Sequence, residues 1–201
     1  CGYIGYSTMS FFGKKKISSI GFDIDQDKVN HINKGSVNIY GLKNWLGFEL
    51  KKNQKSLMSA TTKLQSIIDD KKIICHFVCI PTEKDGQPFF EYFENVLNQI
   101  FKRKENEFNI KECIIIESTL MPNTFDRIVT KIINKNKKKM DDFHFAVAPR
   151  RDWFEDQTKT LETLDRVFGT ANSNSNKIIH EILSIVTKKV HVASSYREAE
   201  L

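Results

Sequence analysis

The run Ile73-Ile74-Cys75-His76-Phe77-Val78-Cys79-Ile80 is apolar from end to end except for one imidazole. It lacks the polar–apolar alternation of a half-exposed strand. A strand built from it must be covered on both faces, as central strands of parallel sheets are. Cys113–Glu117 and Phe143–Ala148 are runs of the same kind. Further β-rich runs at Ile17–Phe22, Leu57–Ala60, Arg166–Phe168 and Lys189–Val192 are also strand candidates. Helices are expected near Gly5–Phe12, Asp27–Asn33, Lys43–Lys52, Lys63–Ile68, Phe89–Phe101, Thr124–Asn134 and Asn176–Thr187. Strand–helix alternation through the 201 residues predicts an α/β fold with a doubly wound, mainly parallel sheet. No internal repeat and no linker interrupts it. Asp85-Gly86-Gln87-Pro88 reads as a turn, and Thr170–Ser175 as a polar loop ending in a helix cap.

The formal net charge is +6, which raises the question of an anionic partner. Much of the excess lies in Lys14–Lys16, Lys51-Lys52 and Lys137–Lys139, each where a helix should give way to a loop. Lysines there complement the helix dipole and solvate the surface. A nucleic-acid stripe would bring more arginine and interleaved aromatics, so no nucleic-acid partner is expected. No apolar run approaches the roughly 18–20 residues of a membrane span. Of Cys1, Cys75, Cys79 and Cys113, the middle pair would stand about 13 Å apart along one strand, too far for a disulfide or a shared metal. Reduced core thiols, a cytoplasmic setting and no metal site follow as expectations.

The chain opens Cys1-Gly2-Tyr3-Ile4-Gly5. Gly-x-x-Gly at a helix start is the second half of the dinucleotide fingerprint. Its glycines let a pyrophosphate approach the backbone and let the helix pack closely on its strand. Asp23 follows Gly5 by 18 residues and ends the Ile17–Phe22 strand, near the spacing of the acid that binds the adenosine ribose. An acid there selects NAD, because it would repel the 2′-phosphate of NADP. The competing assignment makes Asp23 or Asp25 a cap for the helix near Asp27. Because the chain opens on Cys1, the first glycine and first strand are expected before it.

In this context a series of motifs resembles the UDP-glucose/GDP-mannose/UDP-N-acetylmannosamine dehydrogenase family, over nearly the whole chain and in that family's order. They are Gly2-Tyr3-Ile4-Gly5; Gly21-Phe22-Asp23-Ile24-Asp25 with Lys28-Val29 and Ile32–Gly35; Ile80-Pro81-Thr82 with Asp85-Gly86; Glu117-Ser118-Thr119 with Pro122; Val167-Phe168-Gly169; and Glu198–Leu201. The resemblance implies an NAD-binding domain over residues 1–195, lacking its first strand, with 196–201 opening a long central helix. It implies oxidation of the C6 alcohol of a nucleotide sugar to a carboxylate with two NAD and no metal. A cysteine would form a thioester on the way, and that cysteine, with a lysine and an asparagine, would lie beyond Leu201 with the substrate domain. It further implies polysaccharide biosynthesis and a homodimer formed through the central helix.

By the same resemblance Gly2, Tyr3, Ile4 and Gly5 contact the pyrophosphate, and Asp23 and Lys28 the adenosine end. Thr82 lies over the cofactor, and Ser118 and Thr119 near the nicotinamide. Thr119 is the catalytic candidate, since a hydroxyl at a strand's C-terminal end can hold a water beside the reacting carbon. Its alternative is a cap of the next turn. Two departures stand out. Asn38-Ile39-Tyr40-Gly41-Leu42 lacks the usual Glu-Pro, and Ala148-Pro149-Arg150-Arg151-Asp152-Trp153-Phe154 carries Arg150 where the substrate loop begins Pro-Glu. Arg150, Arg151, Trp153 and Phe154 are therefore expected to bind substrate, an arginine being able to grip phosphate or carboxylate bidentately. Surface charges around an aromatic anchor are the plainer alternative. The other function to weigh is a non-catalytic dinucleotide-binding or assembly module. β-Hydroxyacid dehydrogenases share the fold, but the Glu-Ser-Thr and Pro-Thr elements favour the nucleotide-sugar enzymes.

Asp23 carries a direct prediction. The full-length protein should bind NAD more tightly than NADP by calorimetry. Asp23→Ala should weaken NAD about ten- to a hundredfold, the loss of a charge-assisted hydrogen bond. Unchanged NAD affinity in that variant removes Asp23 from the ribose site.

Overall fold

The computed structural model describes residues 1–201 apart from 37, 38, 154, 157 and 188 and the side chain of Lys43. The chain divides into two compact units. One comprises residues 1–67, 151–165 and 183–189; the other comprises 68–150, 166–182 and 190–201.

In the first unit α1 (Tyr3–Lys14) starts immediately after Gly2, and everything from Tyr6 to Gly13 is buried. β1 (Ser19–Phe22) pairs in parallel with β2 (Met58–Thr61), from Ser19 opposite Met58 to Phe22 opposite Thr61. Gly21 lets β1 run against α1: a Cβ there would stand 2.4 Å from Cys1 Sγ and 2.8 Å from Met9 Sδ. α2 (Gln26–Asn33) is capped by Asp25, whose carboxylate accepts the N–H groups of Asp27 and Lys28. The helix expected over Lys43–Lys52 is instead two, α3 (Leu42–Leu46) and α4 (Lys52–Lys55). Gly47, at φ +68°, ends α3 in the left-handed region, which stops a helix at little cost for glycine. α5 (Leu64–Asp69) leads from the first unit's sequence into the second.

The second unit is built on a five-stranded sheet. Its members are β3 (Cys75–Val78), β6 (Glu112–Ile116), β7 (Phe143–Val147), β8 (Arg166–Thr170) and β9 (Val190–Val192), in the order β3-β6-β7-β8-β9. The pairings are parallel except β7–β8, which is antiparallel. A small hairpin of β4 (Glu83–Lys84) and β5 (Gln87–Pro88) turns through Asp85 and Gly86. Both turn residues have positive φ, the twist two-residue hairpins favour. The sequence predicts the turn there but not the strands. α6 (Glu91–Phe101) follows. A π-turned segment (Phe125–Val129) runs into α7 (Thr130–Lys135), α8 (Asn176–Ser184) follows β8, and α9 (Tyr196–Ala199) closes the chain.

Two of the three apolar runs are covered as expected: Ile114, Ile115 and Ile116 of β6 are fully buried, as are Ala146 and Val147 of β7. Each of these isoleucine and valine side chains contributes on the order of 1.5–3 kcal/mol by leaving water. The Ile73–Ile80 run is not so covered: β3 stands at one end of the strand order, its burial alternates along the strand, and Ile74 just before it is exposed. Phe145 stacks on Phe101 and takes the edge of Phe125, joining α6, the sheet and the π-turned segment in one aromatic cluster. At the N-terminal end of β6, Glu112 is buried between His76 Nε2 at 2.9 Å and the Arg103 guanidinium. Arg103 also donates to the carbonyls of Ile68, Asp70 and Ile73. Register places Cys75 directly opposite Cys113, so the thiols that meet are not the pair compared along one strand. Among the described residues no helix is long and apolar enough to cross a membrane.

Gly169 marks the tightest approach in the second unit. A Cβ there would stand 2.1 Å from the Ser195 carbonyl oxygen and 2.4 Å from its carbon, at the cap of α9. Gly169→Ala must push α9 off β8. The expected loss is on the order of 3 kcal/mol or more, read as a shift in the urea midpoint.

Candidate cofactor site

The two units carry separate parts of the predicted site. In the first, Gly2 is the N-cap residue of α1 at φ −71°, and its carbonyl accepts the Tyr6 N–H at 3.0 Å. The N–H groups of Tyr3, Ile4 and Gly5 lie in the first helical turn, where no earlier helical carbonyl can accept them. A Cβ on Gly2 would meet no atom within 4 Å. The positive end of the helix that Gly2 opens suits a pyrophosphate. The Tyr3 hydroxyl is turned to the carbonyl of Tyr40.

Asp23 and Asp25, alternatives as caps in the sequence, divide the work. Asp25 caps α2. Asp23 accepts the main-chain nitrogen of Cys1 at 2.6 Å on one oxygen and the Asp25 N–H at 2.9 Å on the other. The Asp23 carboxylate therefore lies beside the start of the glycine turn, at the C-terminal end of β1. Lys28 Nζ lies 3.7 Å from Asp25 on the exposed side of α2. Nearby is a shallow recess lined by Cys1, Tyr6, Lys28, His31, Ile32, Ser36 and Ile39.

In the second unit the residues after β3 and β6 are stitched together. The Ser118 hydroxyl accepts the Ile80 N–H at 2.8 Å and lies within hydrogen-bond reach of the Val78 and Ile80 carbonyls. Ser118 is buried and holds the loop in place. The Thr82 hydroxyl donates to the Thr119 carbonyl, while Thr119 itself is exposed at the C-terminal edge of the sheet. That edge is where open α/β sheets bind ligands.

Arg150 is found elsewhere than the sequence places it. It is only 7% exposed, and its guanidinium lies 3.6 Å from Glu117, which is 2% exposed. The same carboxylate takes Arg166 at 2.9 Å and the Cys79 thiol at 3.3 Å. Arg166 also donates to the Ala148 carbonyl. Burial, and then the Glu117 charge, push the Cys79 thiol well above its usual range and keep it protonated. Arg151 and Trp153, by contrast, are exposed. Trp153 gives its carbonyl to Trp45 Nε1 at 3.2 Å, and Lys159 Nζ lies 5.0 Å from its ring centre. Phe154, and Asn38 of the departing second motif, lie outside the described residues. Nothing local in the sequence announces the Glu117 cluster, because its members meet through strand register.

With this geometry in place, comparison with known proteins is informative. Residues 1–187 match the model of the UDP-glucose/GDP-mannose dehydrogenase family, NAD binding domain. The UDP-N-acetyl-D-mannosamine dehydrogenase of Methanocaldococcus jannaschii is 29% identical over 96% of this chain and 43% of its own length. The GDP-mannose 6-dehydrogenase of Pseudomonas aeruginosa is 24% identical over 96% and 45%. The chain thus spans less than half the length of these relatives. Among solved structures, a UDP-D-ManNAc dehydrogenase from Pyrococcus horikoshii superposes with a TM-score of 0.80 at 21% identity, covering 99% of this chain and 46% of that one. A ternary complex of the Pseudomonas aeruginosa GDP-mannose dehydrogenase gives 0.79 at 22%, again over 99% and 46%. These likenesses establish the Rossmann-like fold.

The Glu117 cluster generates a stability prediction. Glu117→Gln leaves two buried guanidiniums facing a neutral amide. Breaking a buried ion pair from one side costs about 3–5 kcal/mol. Denaturant unfolding should show that loss, and a change below 1 kcal/mol would make the cluster energetically idle.

Proposed function

Because this chain belongs to the UDP-glucose/GDP-mannose dehydrogenase family, as its NAD binding domain, we propose that it is the cofactor-holding part of a nucleotide-sugar 6-dehydrogenase. The full-length protein would oxidise the C6 alcohol of a UDP-sugar to a uronate in two hydride transfers. The observation that carries the reading is the helix start at Gly2 with the Asp23 carboxylate beside it. NAD, when bound, supplies the hydride acceptor. The first-turn N–H groups of Tyr3, Ile4 and Gly5 would hold the pyrophosphate, and Asp23 would accept from the adenosine ribose with Lys28 close by. Thr82 and the loop pinned by Ser118 would serve the nicotinamide end, with the Thr119 hydroxyl holding a water or the substrate oxygen beside the reacting carbon.

Arg151 and Trp153 are exposed and remain proposed for the sugar nucleotide. Arg150 enters through Glu117, shaping the strand ends rather than gripping substrate. The nucleophilic cysteine would come from another part of the full-length protein, since Cys79 is held protonated and Cys113 lies buried in β6. A cytoplasmic homodimer built around the helix that α9 opens, acting in polysaccharide synthesis, completes the reading.

One observation favours a second reading, a non-catalytic dinucleotide-binding module. The family's Pro-Glu is Pro149-Arg150 here, and the arginine is committed to a buried ion pair.

The full-length protein with NAD should be offered UDP-glucose, UDP-N-acetylmannosamine and GDP-mannose, and NADH followed by absorbance. The expected result is two NADH per sugar oxidised with one of them, and a fall in kcat of about 10²–10⁴ in Thr119→Ala. NAD binding without NADH from any sugar would leave the module reading standing instead.

A further inference from the structure

Glu200 stands outside the site described above, yet it is one of the few buried carboxylates of the second unit, 7% exposed at the end of α9. Its two oxygens accept main-chain N–H groups from a different part of the chain, Asn123 at 2.8 Å and Phe125 at 2.8 Å. Those nitrogens need an acceptor from elsewhere. They begin the helical stretch that follows the Thr119 loop, where the first N–H groups have no helical partner. The stretch brings no cap of its own: Thr124 makes no side-chain capping bond, and Asn123 sits in the left-handed region at φ +67°. Glu200 therefore caps this helix from another element, and its charge suits the positive end of the helix dipole.

Neighbouring contacts fasten α9 to the same turn. The Tyr196 hydroxyl donates to Asp126 at 2.7 Å, Arg197 donates to both Asp126 oxygens, and the Tyr196 and Phe125 rings lie 4.2 Å apart. At the other end of the loop, the Glu117 and Ser118 N–H groups reach the Val78 carbonyl and the Ser118 hydroxyl holds Ile80. Leu120 is buried between the two anchorages. Thr119 is thus presented by a loop tied at both ends, and Glu200 is the tie at the far one.

We infer that Glu200 is a positioning residue: acting from α9, its carboxylate fixes the loop that presents Thr119. Through this tie α9 is coupled to the candidate catalytic hydroxyl. The inference rests on the proposed role of Thr119, so its test must separate the two.

The test uses the full-length protein as wild type, Glu200→Gln, Thr119→Ala and the double variant. Amide hydrogen exchange across residues 117–125 requires no turnover. In Glu200→Gln it should be at least tenfold faster in 118–121 as well as in 123–125. Loss of protection confined to 123–125, or none, overturns the inference. In steady-state kinetics kcat of Glu200→Gln should fall at least tenfold with KM for NAD within twofold. The double variant should be no slower than Thr119→Ala alone, because both act through one group. A Glu200→Gln protein that melts lower but turns over at the wild-type rate also overturns it, showing the cap to be merely structural. Wild-type kcat in Thr119→Ala instead sinks the role of Thr119, while the exchange result still decides whether Glu200 fixes the loop. Should Glu200→Gln not fold, Glu200→Asp keeps the charge on a shorter arm. It should then show at least threefold faster exchange in 118–121, and unchanged exchange there counts against the inference.

Discussion

The second unit depends on one buried carboxylate. Glu117 follows β6, and the groups it gathers come from the ends of three other strands: Cys79 after β3, Arg150 after β7 and Arg166 at the start of β8. The antiparallel register of β7 and β8 pairs Ala146 with Thr170 and Val147 with Gly169. Continued outward, it brings Arg150 opposite Arg166. Two guanidiniums across a strand pair repel one another, and burial makes each more costly. Glu117 offsets both, which is why it can lie buried and why the ends of these strands stay together. The loop that begins with it, through Ser118 and Thr119, inherits that rigidity.

This arrangement changes the meaning of Arg150. As a residue of an exposed loop it would be free to grip a phosphate; with its guanidinium buried against Glu117 it is a structural counter-charge. Glu117 holds this cation together with that of Arg166. The exposed part of the segment is instead Arg151 and Trp153.

The fold was largely legible in the sequence because its strongest signals are local. Ile114–Ile116 announced a doubly covered strand, and they are fully buried. Glycine spacing announced the helix start after Gly2. Errors fell where a single residue's backbone or a remote partner decided. Gly47 in the left-handed region split one expected helix into two. The hairpin around Asp85-Gly86 added two short strands where only a turn was read. At the helix after Asn123 a remote carboxylate, Glu200, supplies the cap.

The sequence by itself determined the class of the fold and the glycine-marked helix start. Each follows from periodicity or spacing within about twenty residues, which chain geometry translates directly into position. The tertiary structure alone decided that β8 runs antiparallel, that Arg150 and Arg166 share Glu117, that Cys75 faces Cys113, and that Glu200 caps a helix 75 residues earlier. Those are pairings between segments distant in sequence. They are set by which strand lies beside which and by the cost of leaving a buried charge or N–H without a partner, a requirement that no local pattern records.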